Sequence, residues 1–312
     1  MTANDLILHH YDGSPFAEKV RLMLGYKGAA WRSVKIPRIM PKPDVIALTG
    51  GYRKTPLLQQ GRDVWCDTAL IARRLEALMP SPTLYPASAP LAPAVAAWAD
   101  STLFWTVVPY TMQPEGLAAM FAGAPPEALK AFAADRGPFT SSVKRPGGAE
   151  AASLLHTELA MFDAALRDGR AYLFGVEPSI ADFSVAHCLW YVGRGGPMAR
   201  IFDGYTAVTA WLARMLAIGH GRPTPMDSTE ALATAKAGQH FEPTAVEAGG
   251  GFEPGEAVTV APTDYGIDPS GGTLVGLSAG EVVIERHDER AGTVHVHFPR
   301  RGFQIRKQEQ TL

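Results

Sequence analysis

Short apolar runs and amphipathic stretches alternate over the first eighty residues of the chain. Apolar runs that predict strands lie at residues 6–11, 31–36, 56–59 and 64–66. The turn at residues 60–63 is short enough to join the last two runs as an antiparallel hairpin, and the pattern of residues 68–78 predicts a helix. This mixture of strands and helices predicts a small α/β layer over residues 1–80.

The pattern then becomes helical. A proline-rich connector at residues 80–86 ends the α/β layer, and alanine- and leucine-rich helical periods run from about residue 91 to residue 218. Ser179 and Asp182 have the spacing of a capping box at the start of one of these helices. We expect an all-α domain over residues 87–222.

Beyond residue 238 the composition changes to glycine-rich turns between short β-type runs, at residues 257–260, 272–277, 282–286 and 293–298. These runs predict a separate small β-barrel or β-sandwich domain over residues 240–312. From His240 onward the chain has eleven acidic and six basic residues, so nucleic acid is not an expected partner of this region. Three roles stay open for it: it caps a dimer, covers a cleft or binds an unidentified partner.

Composition excludes several classes of protein. The net charge is −2 with no basic run, which argues against nucleic acid and anionic membrane surfaces as partners. The two cysteines, Cys66 and Cys188, lie far apart and predict neither a disulfide framework nor a dithiol centre. The N-terminus lacks a signal-peptide pattern, and no apolar run is long enough to span a membrane. We expect a cytoplasmic protein with no membrane association.

The first strand turns into a helix at Ser14-Pro15. Proline suits the first helical position, so Ser14 is the predicted cap of a helix whose free N–H groups and dipole favour a bound anion. A plain helix cap is the commoner meaning of such a pair. Tyr11 ends the preceding strand and is a second hydroxyl donor close to the same point.

Two further segments have the chemistry of a peptide-binding site. A cis Thr55-Pro56 bond at the start of a strand would turn the backbone N–H and C=O of Thr55 outward, where an extended peptide could pair with them. The other possibility is that Pro56 merely protects a strand end. Asp67 and Thr68 open the next helix, where a hydroxyl and free N–H groups can bind a carboxylate.

Together these pieces resemble the cytosolic glutathione S-transferase family over about residues 6–218. The resemblance rests on Ser14, the segment Arg53-Lys54-Thr55-Pro56, the pair Asp67-Thr68, and the capping box in the helical region. It implies a thioredoxin-like N-terminal domain, an all-α second domain and a homodimer. Thr68 stands where the family more usually has serine, which retains the hydroxyl and adds a methyl group. The predicted C-terminal β domain lies outside the family pattern.

The resemblance also implies roles for these residues. Ser14 would hold the glutathione thiolate, with Tyr11 as the alternative because other branches of the family use a tyrosine near the end of the first strand. Thr55 and Pro56 would bind the cysteinyl part, Asp67 and Thr68 the γ-glutamyl end, and Lys54 the glycyl carboxylate. Lys54 could equally be a solvated surface lysine.

A small hydrophobic electrophile would bind between the two domains, and the resemblance leaves open whether the reaction is glutathione addition, dehalogenation, isomerisation or peroxide reduction. Phe16, Trp105 and Tyr110 are candidate walls of its pocket, although aromatic stripes of this kind are more often core. His295 and His297 lie on one face of a strand at a spacing that suits a metal, but the sequence shows no third ligand, so we expect no metal. The rival hypothesis is a non-catalytic binding or scaffold protein that uses the C-terminal β region for assembly.

Overall fold

The computed structural model describes residues 5–308. The N-terminal region is the expected α/β layer, and the hairpin is confirmed by antiparallel pairing between its last two strands. Its elements are β1 (Ile7–His10), α1 (Pro15–Tyr26), β2 (Ala30–Lys35), α2 (Pro43–Thr49), β3 (Leu57–Gln60), β4 (Asp63–Cys66) and α3 (Thr68–Leu78). Helix α2 is the one element of this layer that the apolar pattern did not predict.

The second region is all-α, as expected. Its helices are α4 (Ala92–Trp98), α5 (Phe104–Thr111), α6 (Pro114–Met120), α7 (Pro126–Phe139), α8 (Gly148–Leu166), α9 (Ile180–Arg194) and α10 (Thr206–Leu216). A π-helical turn, Ala99–Leu103, joins α4 to α5. The capping box of Ser179 and Asp182 is confirmed at the start of α9. Within residues 5–308 no helix has both the length and the apolar character needed to cross a membrane.

The chain then returns to the first sheet. Residues 222–240, for which the pattern predicts no element, contain β5 (Arg222–Met226), which pairs in parallel with β2, and α11 (Ser228–Ala237). The remaining strands are β6 (Ala257–Pro262), β7 (Ser270–Leu277), β8 (Glu281–Asp288), β9 (Gly292–Pro299) and β10 (Phe303–Lys307). The β character predicted after residue 240 is therefore confirmed, with β10 as an additional strand.

The C-terminal strands differ from the prediction in one respect, because they do not form a barrel or sandwich apart from the rest. Strand β9 pairs in parallel with β4, and within residues 5–308 one open sheet of ten strands results, in the order β10-β6-β7-β8-β9-β4-β3-β1-β2-β5. Strand β4 would otherwise present an unpaired edge, which proteins tend to cover. Pairing with β9 covers it.

Successive side chains of each strand point to opposite faces of the sheet, so buried apolar residues form a hydrophobic core on each face. On β1, Leu8 faces α1, α3 and the helical region, whereas Ile7 faces the other side. There it shares a core with residues of α2, α11 and the C-terminal strands, such as Val296. The C-terminal strands therefore share a hydrophobic core with the α/β layer.

Candidate functional site

A cavity of about 330 Å³ lies between the α/β layer and the helical region. Both regions line it, and so does Tyr265 in the loop between β6 and β7. This loop, residues 263–269, is called the β6–β7 loop below. Of the residues predicted for the site, the lining includes Tyr11, Ser14, Phe16, Lys54, Thr55 and Trp105.

Ser14 caps helix α1, as its sequence context predicts. Its Oγ accepts a hydrogen bond from the N–H of Ala17 at 3.2 Å, and Pro15 occupies the first helical position. The Ser14 side chain is buried at the edge of the cavity. Because the backbone uses this oxygen as an acceptor, the hydroxyl hydrogen is left to be donated, and a thiolate is a suitable acceptor.

Tyr11 also borders the cavity, beside a buried lysine that sequence reasoning missed. The Lys42 ammonium lies 5.8 Å from the centre of the Tyr11 ring and donates hydrogen bonds to the Thr55 hydroxyl and the Arg53 carbonyl, both at 3.1 Å. Burial, followed by the nearby charges of Arg136 and Arg53, lowers the pKa of Lys42 to about 7. A cation that titrates near neutrality therefore lies next to the predicted peptide-binding residue.

The Thr55-Pro56 bond is cis, as expected. Pro56 begins the approach to β3, and Thr55 lines the cavity. The neighbouring Lys54 is not a solvated surface residue, because only 9% of it is exposed. Its ammonium donates to the Asp264 carboxylate at 2.6 Å and lies 3.9 Å from the centre of the Tyr265 ring. The residue predicted to meet a ligand carboxylate thus meets a carboxylate of the chain itself.

The β6–β7 loop closes one side of the cavity. The Tyr265 ring makes edge contacts with Trp105 and Phe139, each at 5.2 Å between ring centres. Gly266 donates its N–H to the Phe139 carbonyl at 3.0 Å, and the Ser142 hydroxyl donates to the Asp264 carbonyl at 2.6 Å. Of the three roles left open for the C-terminal region, the geometry favours covering the cleft.

Asp67 and Thr68 lie at the start of α3 but outside the residues that line the cavity. Asp67 caps the helix through the N–H of Ala69 at 2.8 Å, and burial raises the pKa of its carboxyl. The Thr68 hydroxyl accepts from the fully buried Lys19 at 3.1 Å. Lys19 also donates to Asp100, in the π-helical turn, at 2.6 Å.

Asp100 is the centre of a buried network that the sequence did not suggest. Its second carboxylate oxygen lies 3.0 Å from Nε2 of His187 on α9. Burial alone would raise the pKa of Asp100, but Lys19 and His187 outweigh it and lower the pKa to about 2. The three residues lie 81 or more positions apart in sequence, so no local pattern could have joined them.

The aromatic walls agree with the prediction in part. Phe16 lines the cavity and packs against Phe104 at 4.7 Å, and Trp105 lies opposite Tyr265. Tyr110 does not line the cavity, and here the prediction was wrong. Its side chain is turned into the helical core, where its hydroxyl donates to the Met198 carbonyl at 2.8 Å.

Comparisons with known proteins identify the family of this chain. The sequence profile of the glutathione S-transferase N-terminal domain matches residues 8–83, and that of the C-terminal domain matches residues 133–214. A GST-like protein of known structure from Pseudomonas syringae is 41% identical, with a TM-score of 0.81 over 98% of this chain and 100% of that one. The chain belongs to the glutathione S-transferase family.

More distant structures share the transferase fold. A glutathione S-transferase from Rhodospirillum rubrum F11 is 20% identical, with a TM-score of 0.51 over 68% of this chain and 88% of that one. The glutathione transferase GSTFuA3 from Phanerochaete chrysosporium is 17% identical, with a TM-score of 0.55 over 70% of this chain and 98% of that one. No functionally curated protein matches the chain.

The lining of the cavity is positively charged. Its lining includes six cationic side chains and, within the described part of the chain, no carboxylate: Arg38, Lys42, Arg53, Lys54, Arg136 and Arg145. Two carboxylates just outside the lining pair with some of these cations. Asp135 lies 2.8 Å from Arg53 and 3.6 Å from Arg136, and Asp264 pairs with Lys54.

Away from the transferase cleft, His295 and His297 lie at the junction between β9 and β4. The structure brings a third potential ligand to them, the buried Asp63 of β4. Asp63 Oδ1 lies 2.9 Å from Nε2 of His297, and Glu281 lies 3.4 Å from its Nδ1. His297 is thus already held between two carboxylates, and the expectation that no metal binds stays a prediction.

Proposed function

We propose that the protein binds glutathione, stabilises its thiolate through Ser14 and the N-terminus of α1, and transfers the sulfur to a small hydrophobic electrophile. The observation that carries this proposal is the shared cavity. The Ser14 hydroxyl, with a hydrogen free to donate, borders the same space as Thr55 and as the aromatic side chains Phe16 and Trp105.

The chemical task is to ionise a thiol near neutral pH. A free thiol has a pKa of about 8.5, and only the thiolate is a good nucleophile. A charge-assisted hydrogen bond from Ser14 contributes about 1.5–3 kcal/mol, which corresponds to roughly one to two pKa units. The dipole of α1 acts in the same direction because Ser14 is its cap. Ser14 is a donor in this mechanism and never the nucleophile.

The transfer step follows from the thiolate. On an activated aryl halide, the sulfur donates an electron pair to the ring carbon and forms the C–S bond, and the C–halogen bond breaks with its electron pair leaving as halide. The thiol proton has already gone to solvent, so the step needs no oxidant or reductant. Phe16 and Trp105 would hold the apolar ring, and the Tyr265 ring would shield it from water.

Glutathione binding would use the remaining predicted residues. Thr55 would pair with the cysteinyl backbone, and the buried Asp67 carboxyl would receive the γ-glutamyl ammonium, whose positive charge would lower the pKa that burial has raised. Lys54 would exchange the Asp264 carboxylate for the glycyl carboxylate of the tripeptide. Such an exchange conserves charge, so its free-energy cost is the displacement of a partly exposed ion pair.

The test is an ultraviolet difference titration of glutathione bound to the protein. The thiolate of the complex should form with an apparent pKa clearly below that of free glutathione. Ser14→Ala should raise this pKa by roughly one to two units and lower turnover, with glutathione affinity largely retained. Tyr11→Phe, the matched loss of the competing hydroxyl, should leave the pKa unchanged.

Two outcomes would contradict this assignment. If Tyr11→Phe and not Ser14→Ala raised the pKa, Tyr11 would be the activating residue. If no glutathione bound at millimolar concentration, or the pKa of the bound thiol equalled that of the free one, the rival role as a non-catalytic scaffold would be favoured.

The proposal extends to the assembly and location that go with this activity. We propose a homodimer in the reducing cytoplasm. Both cysteines, Cys66 and Cys188, are buried and unpaired, in keeping with a reducing compartment. Light scattering at micromolar concentration should give twice the chain mass, and a monomer mass would contradict the dimer.

A further inference from the structure

We propose that the electrophile taken by this cavity is a hydrophobic anion, an aromatic or aliphatic molecule with a carboxylate, sulfonate or phosphate group, and not a neutral molecule. The proposal deepens the proposed function and rests on it for its catalytic consequence. Its basis is the arrangement of cations around the aromatic rings Phe121 and Phe132 of the helical region.

Arg38 is the central residue. It lies in the segment between β2 and α2, and its guanidinium carbon is 4.3 Å from the centre of the Phe132 ring and 4.7 Å from that of Phe121. None of the ion pairs and side-chain hydrogen bonds in the described part of the chain uses this guanidinium. Stacking on rings occupies the faces of a guanidinium and leaves its N–H groups, which lie in the plane, available to an anion.

Two further arginines surround the same space. Arg136 of α7 lies 5.1 Å from the centre of the Phe132 ring, and Arg145 follows α7 without a carboxylate partner in residues 5–308. Within residues 5–308, Asp135 is the carboxylate that forms an ion pair at this end of the cavity, and it is shared between Arg53 at 2.8 Å and Arg136 at 3.6 Å. The carboxylates of the protein therefore neutralise only part of the positive charge at this end of the cavity.

Glutathione does not account for all of these cations. Six cations line the cavity, and the nearby carboxylates Asp135 and Asp264 offset two of their charges. The two carboxylates of the tripeptide would offset two more, which leaves at least one guanidinium group without a counter-charge. Arg38, which stacks on the Phe132 ring and forms no ion pair within residues 5–308, is such a group. A guanidinium group on aromatic rings matches a ligand with an apolar body and an anionic group.

The first experiment measures binding without catalysis. Anilinonaphthalene sulfonate and its parent phenylnaphthylamine share the same rings and differ by one sulfonate, and both can be titrated by fluorescence. The full-length protein should bind the sulfonate at least roughly tenfold more tightly at low salt, and the preference should shrink as salt is added. Equal affinities, or tighter binding of the neutral dye, would overturn the proposal.

Matched variants assign the preference to the cavity. Arg38→Met retains the apolar stem on the two phenylalanine rings and removes the charge, so it should abolish most of the preference for the sulfonate, whereas Arg38→Lys should retain part of it. Arg222→Gln removes an exposed cation on β5, outside the cavity, and should change nothing. A preference that survives Arg38→Met but falls in Arg222→Gln would contradict the assigned site.

The second experiment measures turnover on a matched pair of electrophiles, a chloronitrobenzoate and the corresponding chloronitrobenzamide. Each enzymatic rate is divided by the rate with free glutathione at the same pH, which removes the intrinsic reactivity. The carboxylate should have a kcat/KM roughly tenfold higher than the amide, through a lower KM. A higher value for the amide would overturn the proposal.

Failure of this proposal and failure of the proposed function remain distinguishable. Dye titration requires no glutathione, so a protein that prefers the sulfonate yet never ionises glutathione would refute the transferase activity alone. A protein that activates glutathione but treats both dyes alike would refute the anionic electrophile alone.

Discussion

Two of the contacts between the C-terminal strands and the transferase fold differ in kind. At the first, β9 pairs along β4 through the backbone, with buried side chains on both faces. At the second, the β6–β7 loop contacts the cleft through side chains, including the ion pair of Lys54 with Asp264, whose carboxylate side chain is 54% exposed. The first contact is part of the sheet itself, whereas the second is made by a loop that packs on the cleft.

An appended region of this kind can both stabilise a fold and cover its site. Backbone pairing fixes the position of the C-terminal strands, and so fixes where the loop begins and ends. The loop itself is held by ring contacts, by the N–H of Gly266 and by an ion pair that solvent partly screens, so we expect it to open at a lower free-energy cost than the junction. Variants at the two contacts, together with a change of pH, test this contrast.

Loss of the buried carboxylate at the β4–β9 junction should have the largest effect. Asp63 accepts from His297 at 2.9 Å and from the N–H of Glu242 at 3.0 Å. Asp63→Ala should lower the free energy of unfolding by about 3–5 kcal/mol, measured by urea denaturation, because His297 and the N–H of Glu242 both lose their buried acceptor. Asp63→Asn retains an acceptor and should cost less. A loss below about 1 kcal/mol in the alanine variant would show that the junction does not depend on this pair.

A methyl group at Gly266 should disturb the loop and not the junction. Gly266 has φ +56°, and a Cβ there would lie 2.3 Å from the Phe139 ring. Gly266→Ala should cost about 1–3 kcal/mol and speed hydrogen exchange in residues 263–269, with exchange in β9 unchanged. Gly255→Ala is the matched control, since Gly255 has φ +84° with open space around it. If both variants behaved alike, the contact with Phe139 would not hold the loop.

The junction should also weaken as the pH rises. Burial lowers the pKa of His297, but its bonds to Asp63 and Glu281 outweigh burial, and the pKa is raised above its ordinary value. A raised folded-state pKa gives stability that is complete below the unfolded value of about 6.5 and is lost as pH rises through the folded value.

The groups around His297 determine how this pH dependence of stability is measured. Asp63 and Glu281 face it directly, Arg73 and Arg74 act on Glu281, and burial lowers the pKa of the neighbouring His295. Because the pKa of His295 is lowered in the folded protein, the unfolded protein binds a proton there more readily, and stability is lost as pH falls below about 6.5. The contribution of His297 is therefore measured above that pH. There the urea midpoint of the wild type should fall relative to that of His297→Gln. Parallel curves would show that His297 is not protonated in the folded protein.

Release of Lys54 from the loop should have the smallest effect. Asp264→Asn frees the ammonium to meet the glycyl carboxylate, so glutathione should bind more tightly, by less than about fivefold, since an ion pair of this exposure contributes at most about 1 kcal/mol. Calorimetric titration measures this change. Asp268→Asn, the same change of charge at an exposed position of the same loop, should leave affinity unaltered. Weaker binding in Asp264→Asn would mean that Asp264 supports the bound ligand.

The sequence predicts those parts of the fold that local patterns encode. The hairpin of β3 and β4, the cap at Ser14 and the capping box at Ser179 all follow from residues a few positions apart, and all are present. The cis Thr55-Pro56 bond follows from the family resemblance. The prediction that Tyr110 lines the cavity was wrong because an apolar stripe does not indicate which of its side chains face a cavity and which face the core.

The missed residues depend on contacts between distant segments. Asp264 and Tyr265 belong to what looks like an ordinary turn, and only the pairing of β9 with β4 brings that turn to Lys54. Arg38 and Lys42 lie in the irregular segment 36–42, where no period in the sequence indicates which side chains face a cavity, and Arg38 meets the Phe132 ring of α7 only in the folded chain. Charge pattern alone gave no signal for a cationic cavity, because the net charge of the whole chain is only −2.

The order of strands has a consequence for synthesis. Both outer edges of the ten-stranded sheet, β5 on one side and β10 on the other, come from sequence beyond residue 221, and His297 contacts Asp63 across 234 positions. While the chain emerges from the ribosome, the edge of β2 therefore stays unpaired until residues 222–226 are made, and the edge of β4 stays unpaired until residues 292–299 are made. In a shortened chain that ends after α10 those edges would stay unpaired, and we expect this chain to aggregate under conditions in which the full chain does not.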